Sequence, residues 1–160
     1  MIIAAYAGTG KSYAAQKLNG ILDMAIVPYK YQFPEDYDSK EYTESDKDDI
    51  DFPLDWDYPE KYVRDLFQNA KVYDHVFIPT DNRVLDILDR EGAAYLLCYP
   101  TFEAKEEYRQ RYIARGNTDS FFEIFIGRWE KWMDSFGKRS CRKYVMRQGE
   151  FLVDVILQQP

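Results

Sequence analysis

The chain has 160 residues, 46% of them apolar, and a formal net charge of −7; this suits one domain with a full core and excludes a nucleic-acid binder held by phosphate contacts, which needs a basic patch. Two cysteines, Cys98 and Cys141, and one histidine, His75, are too few and too far apart for a disulfide framework or a zinc site. No stretch approaches the roughly 20 apolar residues that cross a bilayer, and no basic segment precedes the opening apolar run, so the expectation is a cytoplasmic protein without membrane contact.

In chain order, an apolar run over 2–6 ends at a Gly-rich turn and reads as a buried strand, and 11–18 continues as a helix. ILDMAIVP, 21–28, predicts a second strand. Residues 35–57 hold most of the acidic surplus and have no periodicity; they predict a surface excursion within an inserted acidic and aromatic segment, 29–58, too long for an ordinary connection. Pro59 opens a helix whose stripe is Val63, Leu66, Phe67 and Ala70. A third strand follows over 76–79, a helix over 82–90 closed by Gly92, and a fourth strand over 94–99. A helix is predicted over 102–115. Another starts near Ser120, where Ser120 and Glu123 have capping-box spacing, and carries Phe122, Phe125, Ile126, Trp129, Met133 and Phe136 on one face. Residues 151–157 predict a last strand.

This alternation predicts an α/β fold, a three-layer αβα sandwich with a five-stranded parallel sheet covered by helices on both faces. There is no internal repeat, low-complexity tract or linker, so 1–160 reads as a single domain.

The stretch Ala5-Tyr6-Ala7-Gly8-Thr9-Gly10-Lys11-Ser12 falls one residue short of the phosphate-binding pattern G-x-x-x-x-G-K-[ST]. In such a loop backbone N–H groups surround the β-phosphate, the lysine reaches the β- and γ-phosphates, and the hydroxyl after it binds Mg²⁺. Ala7, Gly8, Thr9, Gly10, Lys11, Ser12 and Tyr13 are therefore the candidate nucleotide-binding residues, with Ser12 the metal ligand. Whether Ala5 fits where the pattern has its first glycine depends on its φ. The alternative is a Gly-rich strand-to-helix turn with a solvated lysine.

That loop, the strand order and the run Tyr108-Arg109-Gln110-Arg111-Tyr112-Ile113-Ala114-Arg115-Gly116 resemble the P-loop nucleotide kinases, particularly the adenylate kinase-like nucleoside monophosphate kinases. The segment from Tyr99-Pro100 to Asn117, YP…KEEY..RY..RGN, is similar to that of a set of small bacterial and phage-type P-loop proteins. The resemblance spans nearly the whole chain. It implies strand order 2-3-1-4-5, ATP and Mg²⁺ as cofactors, an acceptor site after the second strand and an arginine-bearing lid over 102–118. Departures are Ala5 and the missing apolar-D-E run of a standard Walker B motif.

Phosphoryl transfer is catalysed mostly by positioning and charge neutralisation, for which arginine's planar fork suits phosphate. Arg111 and Arg115 are four apart on one helix face, with Arg109 offset as a substrate-side cation; Lys11, Arg111, Arg115 and Asp81 make the candidate catalytic set. The competing reading pairs these arginines with Glu103, Glu106 and Glu107 on a solvated helix. Asp23 either approaches the acceptor or Mg²⁺, or faces solvent. Asp81 either supports Mg²⁺ or caps the next helix. Arg83 either grips an acceptor phosphate or lies on the surface, and the stripe with Trp129 and Trp132 reads as packing.

Three functions fit. The first is an ATP-dependent kinase of a nucleotide, nucleoside or other small acceptor. The second is an NTPase or switch whose acidic segment contacts a protein partner, and the third a nucleotide-binding module that has lost catalysis. The acidity of 29–58 is unusual for a phosphate site and leaves room for a neutral or cationic acceptor.

Overall fold

A computed structural model describes residues 1–40, 42 and 52–158; residues 41 and 43–51, the middle of the expected acidic excursion, lie outside the described residues, as do 159–160. Five strands, β1 (Ile2–Ala5), β2 (Ile21–Asp23), β3 (His75–Ile78), β4 (Tyr95–Pro100) and β5 (Arg142–Met146), form one parallel sheet in the order β2-β3-β1-β4-β5. At its centre Ile3 pairs with Phe77 on one side and Leu96 on the other. β1 and β4 are buried along their whole length, which is why they read as continuous apolar runs rather than alternating ones.

Helices cover both faces, as a three-layer α/β arrangement requires. α1 (Lys11–Lys17) and α8 (Leu152–Gln158) pack Ala14, Leu152 and Val155 onto Ile3, Ala5, Phe77 and Cys98. The opposite face, with Ile2, Ala4, Val76, Ile78 and Leu97, carries α3 (Tyr58–Asn69), α4 (Asn82–Arg90), α5 (Lys105–Ala114), α6 (Asp119–Phe125) and α7 (Trp129–Lys138). The short α2 (Val27–Lys30) runs into the inserted segment, within which an antiparallel bridge joins Tyr31 and Leu54. No helix among the described residues is long and apolar enough to cross a membrane.

Four expectations need correction. Residues 151–157 do not form a strand: Phe151 precedes α8 and 152–157 lie in it; Leu152, Val155 and Ile156 have helical spacing onto the sheet, and Asp154 Oδ2 accepts from Phe151 N at 2.9 Å at the helix start. The fifth strand is instead Arg142–Met146, whose polar sequence suits an edge that is only partly buried. The second strand stops at Asp23, and Pro28 sits in the first turn of α2, where its fixed φ favours a helix start. The long helix from Ser120 is two helices. Thr118 caps the first, its Oγ1 accepting from Phe121 N at 3.4 Å, and the chain turns before α7 at Gly127, where a Cβ would meet the Glu123 carbonyl at 2.5 Å. The helix expected over 102–115 opens as a 3-10 turn, Phe102–Ala104, before α5.

Candidate functional site

The loop between β1 and α1 lies at the carboxyl end of the central strand, where ligands bind in open parallel sheets. Ala5 is the last residue of β1 and its methyl group is buried among α1 and α8. No residue other than glycine has positive φ among the described residues, so alanine is accommodated there without strain. Gly8 and Gly10, at φ 85° and 90°, make the two reversals that the turn needs. Their amides donate to no acceptor among the described residues, which leaves them for an anion.

The loop is braced from outside. Tyr112 donates to the Ala7 carbonyl at 2.8 Å, Arg111 Nη1 to the Gly8 carbonyl at 2.9 Å, and Leu152 N to the Thr9 carbonyl at 2.8 Å. Thr9 is fully buried and its hydroxyl donates to the Tyr6 carbonyl at 2.8 Å. A Cβ on Gly8 would come within 2.8 Å of Tyr112 Cε1. The loop can pack this closely on Tyr112 and Tyr108 only because the glycine has no side chain.

Lys11 Nζ folds back to donate to the Ala5 carbonyl at 2.9 Å. Burial of the ammonium lowers its pKa to about 8, with Asp23 opposing that shift and Arg115 adding to it. Ser12 Oγ donates to Asp23 Oδ2 at 2.6 Å, so the end of β2 and the start of α1 bring a hydroxyl and a carboxylate together. This donor set suits Mg²⁺, which keeps several waters and takes one or two protein oxygens. No cluster of three or more metal-ligating side chains occurs among the described residues.

The arginines of α5, Arg109 and Arg111, and Arg115 directly after it have different surroundings. Arg111 is 12% exposed; its guanidinium pairs with Glu107, donates to the Glu150 carbonyl at 3.2 Å, and lies between the rings of Tyr108 and Phe151, 4.5 and 4.0 Å from their centroids. Arg115 faces the cleft in front of the loop, and its guanidinium has no hydrogen-bond or ion-pair partner among the described residues. Arg109 pairs with Glu106 at 3.2 Å on the solvent side and lines none of the cavities described below. The pairing of arginines with neighbouring glutamates therefore holds for Arg109 and Arg111.

Three cavities follow one another across the carboxyl edge of the sheet. The first, of about 550 Å³, is lined by the glycine loop, Lys11, Ser12, Tyr13, Arg115 and Phe151. The second, of about 170 Å³, is largely apolar and lies between Ala7, Lys11, Thr80, Asp81, Phe125 and Trp132. The third, of about 530 Å³, opens to solvent between Lys30, Tyr31, Phe52, Asp81, Arg83 and Trp132. Ala7 and Lys11 belong to the first two, and Lys30, Asp81 and Trp132 to the last two.

Asp81 caps α4, Oδ1 accepting from Arg83 N at 3.0 Å and Val84 N at 3.2 Å, while Oδ2 accepts from Tyr58 at 2.9 Å. Both of its oxygens are thus engaged, yet it borders the cavities. Arg83 lies over the rings of Trp56 and Tyr58, 5.3 and 5.9 Å from their centroids, at the mouth of the third cavity. Trp129 is core, as expected, but Trp132 donates to the Ile124 carbonyl at 3.0 Å and walls two cavities. Sequence reasoning missed Phe151, Tyr112, Lys30 and Thr80. Only folding brings Phe151 to the loop, and nothing near it in the chain marks it as anything but an apolar strand residue.

Compared with models of known protein families the chain matches none, and comparison with curated proteins likewise finds no match.

Proposed function

We propose that the chain is an ATP-dependent phosphotransferase of P-loop kinase type, moving a phosphoryl group to a small hydroxyl- or phosphate-bearing acceptor. One observation carries this reading: Lys11 borders both the cleft in front of the glycine loop and the cavity behind it. A cation shared by two cavities suits a donor on one side and an acceptor on the other, because transfer is catalysed by positioning and charge neutralisation. In a protein that only binds a nucleotide, the second cavity needs no such neighbour.

The glycine loop and Lys11 would hold the polyphosphate, Ser12 with Asp23 a Mg²⁺ ion, and Arg115 would close over the donor. Bound Mg²⁺ neutralises phosphate charge. Lys30 and Arg83 give the outer cavity a cationic rim, which suits an acceptor with an anionic group better than the cationic acceptor left open by the acidity of the segment. A bound phosphate would also raise the pKa of Lys11 again, offsetting the burial that now disfavours its charge.

The test is the melting temperature with Mg²⁺ and nucleoside mono-, di- and triphosphates, followed by transfer of labelled γ-phosphate to the acceptors that add to it. A ligand at about 100 times its Kd adds roughly 2.7 kcal/mol of stability. A shift by ATP that Lys11→Ala abolishes, together with acceptor-dependent transfer, supports the reading. No shift by any nucleotide sinks it. The NTPase or switch reading draws on a different observation: Tyr31, Phe33, Tyr37, Tyr42 and Phe52 form a ring cluster in the acidic segment, and nearby Trp56 is 71% exposed. Phosphate release without acceptor, raised by a protein partner, would favour it.

A further inference from the structure

Thr9 and Thr80 are both buried, and their hydroxyls are placed differently. Thr9 donates to the Tyr6 carbonyl at 2.8 Å. Thr80, directly after β3 and 5% exposed, has no hydrogen-bond partner for its hydroxyl among the described residues, and it lines the largely apolar chamber of about 170 Å³ behind the glycine loop. An unpaired buried hydroxyl costs stability, so one kept in the wall of a cavity suits a ligand oxygen. Other polar side chains of that wall are engaged. Lys11 donates to the Ala5 carbonyl at 2.9 Å and Trp132 to the Ile124 carbonyl at 3.0 Å. Lys30 Nζ lies 5.8 Å from the centroid of the Tyr31 ring, which belongs to the outer cavity and not to the chamber.

Asp81 is shared by the chamber and the outer cavity. Its Oδ1 accepts from two backbone amides, but its Oδ2 accepts only from Tyr58, at 2.9 Å. A carboxylate oxygen has room for two donors, so Oδ2 keeps a site for the proton of a hydroxyl. A phosphate acceptor has no such match, because its negative charge beside a carboxylate in low-dielectric surroundings is repelled. Size narrows the acceptor further: a cavity of about 150 Å³ holds one benzene molecule, so the part of the acceptor beside Lys11 is a single compact ring or a short chain. A charged end has its place outside, where Arg83 and Lys30 line the outer cavity.

We infer that the acceptor is an alcohol rather than a phosphate: a compact, largely apolar molecule whose hydroxyl meets Thr80 and Asp81 in the chamber and whose anionic group lies in the outer cavity with Arg83. This rests on the phosphotransferase reading of the site. In the step, the hydroxyl oxygen bonds to the γ-phosphorus of the nucleoside triphosphate, and the bond from that phosphorus to the β–γ bridging oxygen breaks. The nucleoside diphosphate leaves with the electron pair, and the hydroxyl proton passes to Asp81 Oδ2. Thr80 holds the attacking oxygen in place.

The experiment follows labelled γ-phosphate from MgATP to two sets of acceptors. One set is AMP, GMP, CMP, UMP and dTMP; the other is p-(hydroxymethyl)benzoate and p-(hydroxymethyl)phenylacetate, anionic alcohols with a benzene-sized body. Label is expected in an alcohol, as a phosphate monoester, and in no nucleoside monophosphate. Thr80→Val should raise KM for that alcohol by about 2–12-fold, the loss of one hydrogen bond. It should leave Kd for MgATP unchanged and the melting temperature equal or higher, since a methyl group replaces an unpaired hydroxyl. Asp81→Asn, which keeps the helix cap, should lower kcat by about 10²–10⁴-fold. Transfer to a nucleoside monophosphate overturns the inference and leaves the phosphotransferase reading standing. A Thr80→Val variant that melts lower with KM unchanged also overturns the inference. MgATP binding without transfer to either set overturns both, and failure of MgATP to bind overturns the nucleotide reading itself.

Discussion

Arg111 and Gly8 are 103 residues apart and joined by one hydrogen bond, Nη1 to the carbonyl, at 2.9 Å. The same guanidinium reaches Glu107 and the Glu150 carbonyl, so one side chain ties α5, the glycine loop and the turn before α8 together. Arg111 is therefore a positioning residue for the loop, and Arg115 the cation that remains for a ligand. Arg111→Met, which keeps the apolar stem between Tyr108 and Phe151, should cost about 1–3 kcal/mol, because it strands buried acceptors. Urea denaturation measures this. Arg109→Met, removing an exposed pair, should change stability by less than about 0.5 kcal/mol. Equal effects from the two would show that the clamp holds nothing.

Gly8 and Gly137 should respond oppositely to alanine. At Gly8 the backbone has φ 85° and the new Cβ would meet Tyr112 at 2.8 Å, so Gly8→Ala should destabilise by more than about 1 kcal/mol and abolish nucleotide-dependent melting shifts. Gly137 is in α7 with nothing within 4 Å of its Cβ position. Gly137→Ala should stabilise by about 0.5–1 kcal/mol and leave ligand binding alone. Thermal unfolding of the two variants, with and without MgATP, checks both statements.

Binding of a polyphosphate should depend on pH through Lys11. In the free protein burial lowers its pKa to about 8, and an anion at the loop would raise it again. Above pH 8 the free side chain is mostly neutral, so binding must take up a proton. Affinity should be flat below about pH 7.5 and weaken by up to about tenfold per pH unit above 8, until the pKa of the bound state is passed. The sign for folding is the reverse. An unfolded chain holds the lysine proton more tightly than the folded one, so this residue makes the free protein more stable as pH rises from 8 towards the ordinary lysine value. Calorimetry in buffers of different ionisation enthalpy should find close to one proton taken up at pH 9 and almost none at pH 6.5.

Asp23→Asn tests the metal role of the carboxylate that accepts from Ser12. Asparagine keeps an oxygen for the Ser12 hydroxyl, so melting temperature should move little. If the carboxylate supports Mg²⁺, half-saturation for the ion should rise and transfer should fall by roughly 10–100-fold. Nucleotide binding without Mg²⁺ should persist or tighten, since a negative charge has been removed. A Mg²⁺ titration identical to that of the unmutated protein would limit Asp23 to orienting Ser12.

Sequence alone determined the parts that rest on local pattern. Apolar runs placed β1, β3 and β4 to within a residue or so, helical spacing placed α3 and α4, and alternation of the two types led to a parallel sheet, while its strand order came from the resemblance alone. The pattern Gly8-x-Gly10-Lys11-Ser12 was legible because each of its features lies on adjacent residues. Tertiary structure decided where burial on one side was enough or where partners come from far along the chain. Arg142–Met146 becomes the fifth strand because β4 offers it an edge, and Leu152–Gln158 becomes a helix because its stripe fits the sheet face below α1. Arg111, Tyr112 and Phe151 meet the glycine loop only because α5 ends and α8 begins over the carboxyl edge of β1. Periodicity says which face of a helix is apolar but not what that face will meet, and the division of labour among Arg109, Arg111 and Arg115, three similar residues on and directly after one helix, follows from that meeting.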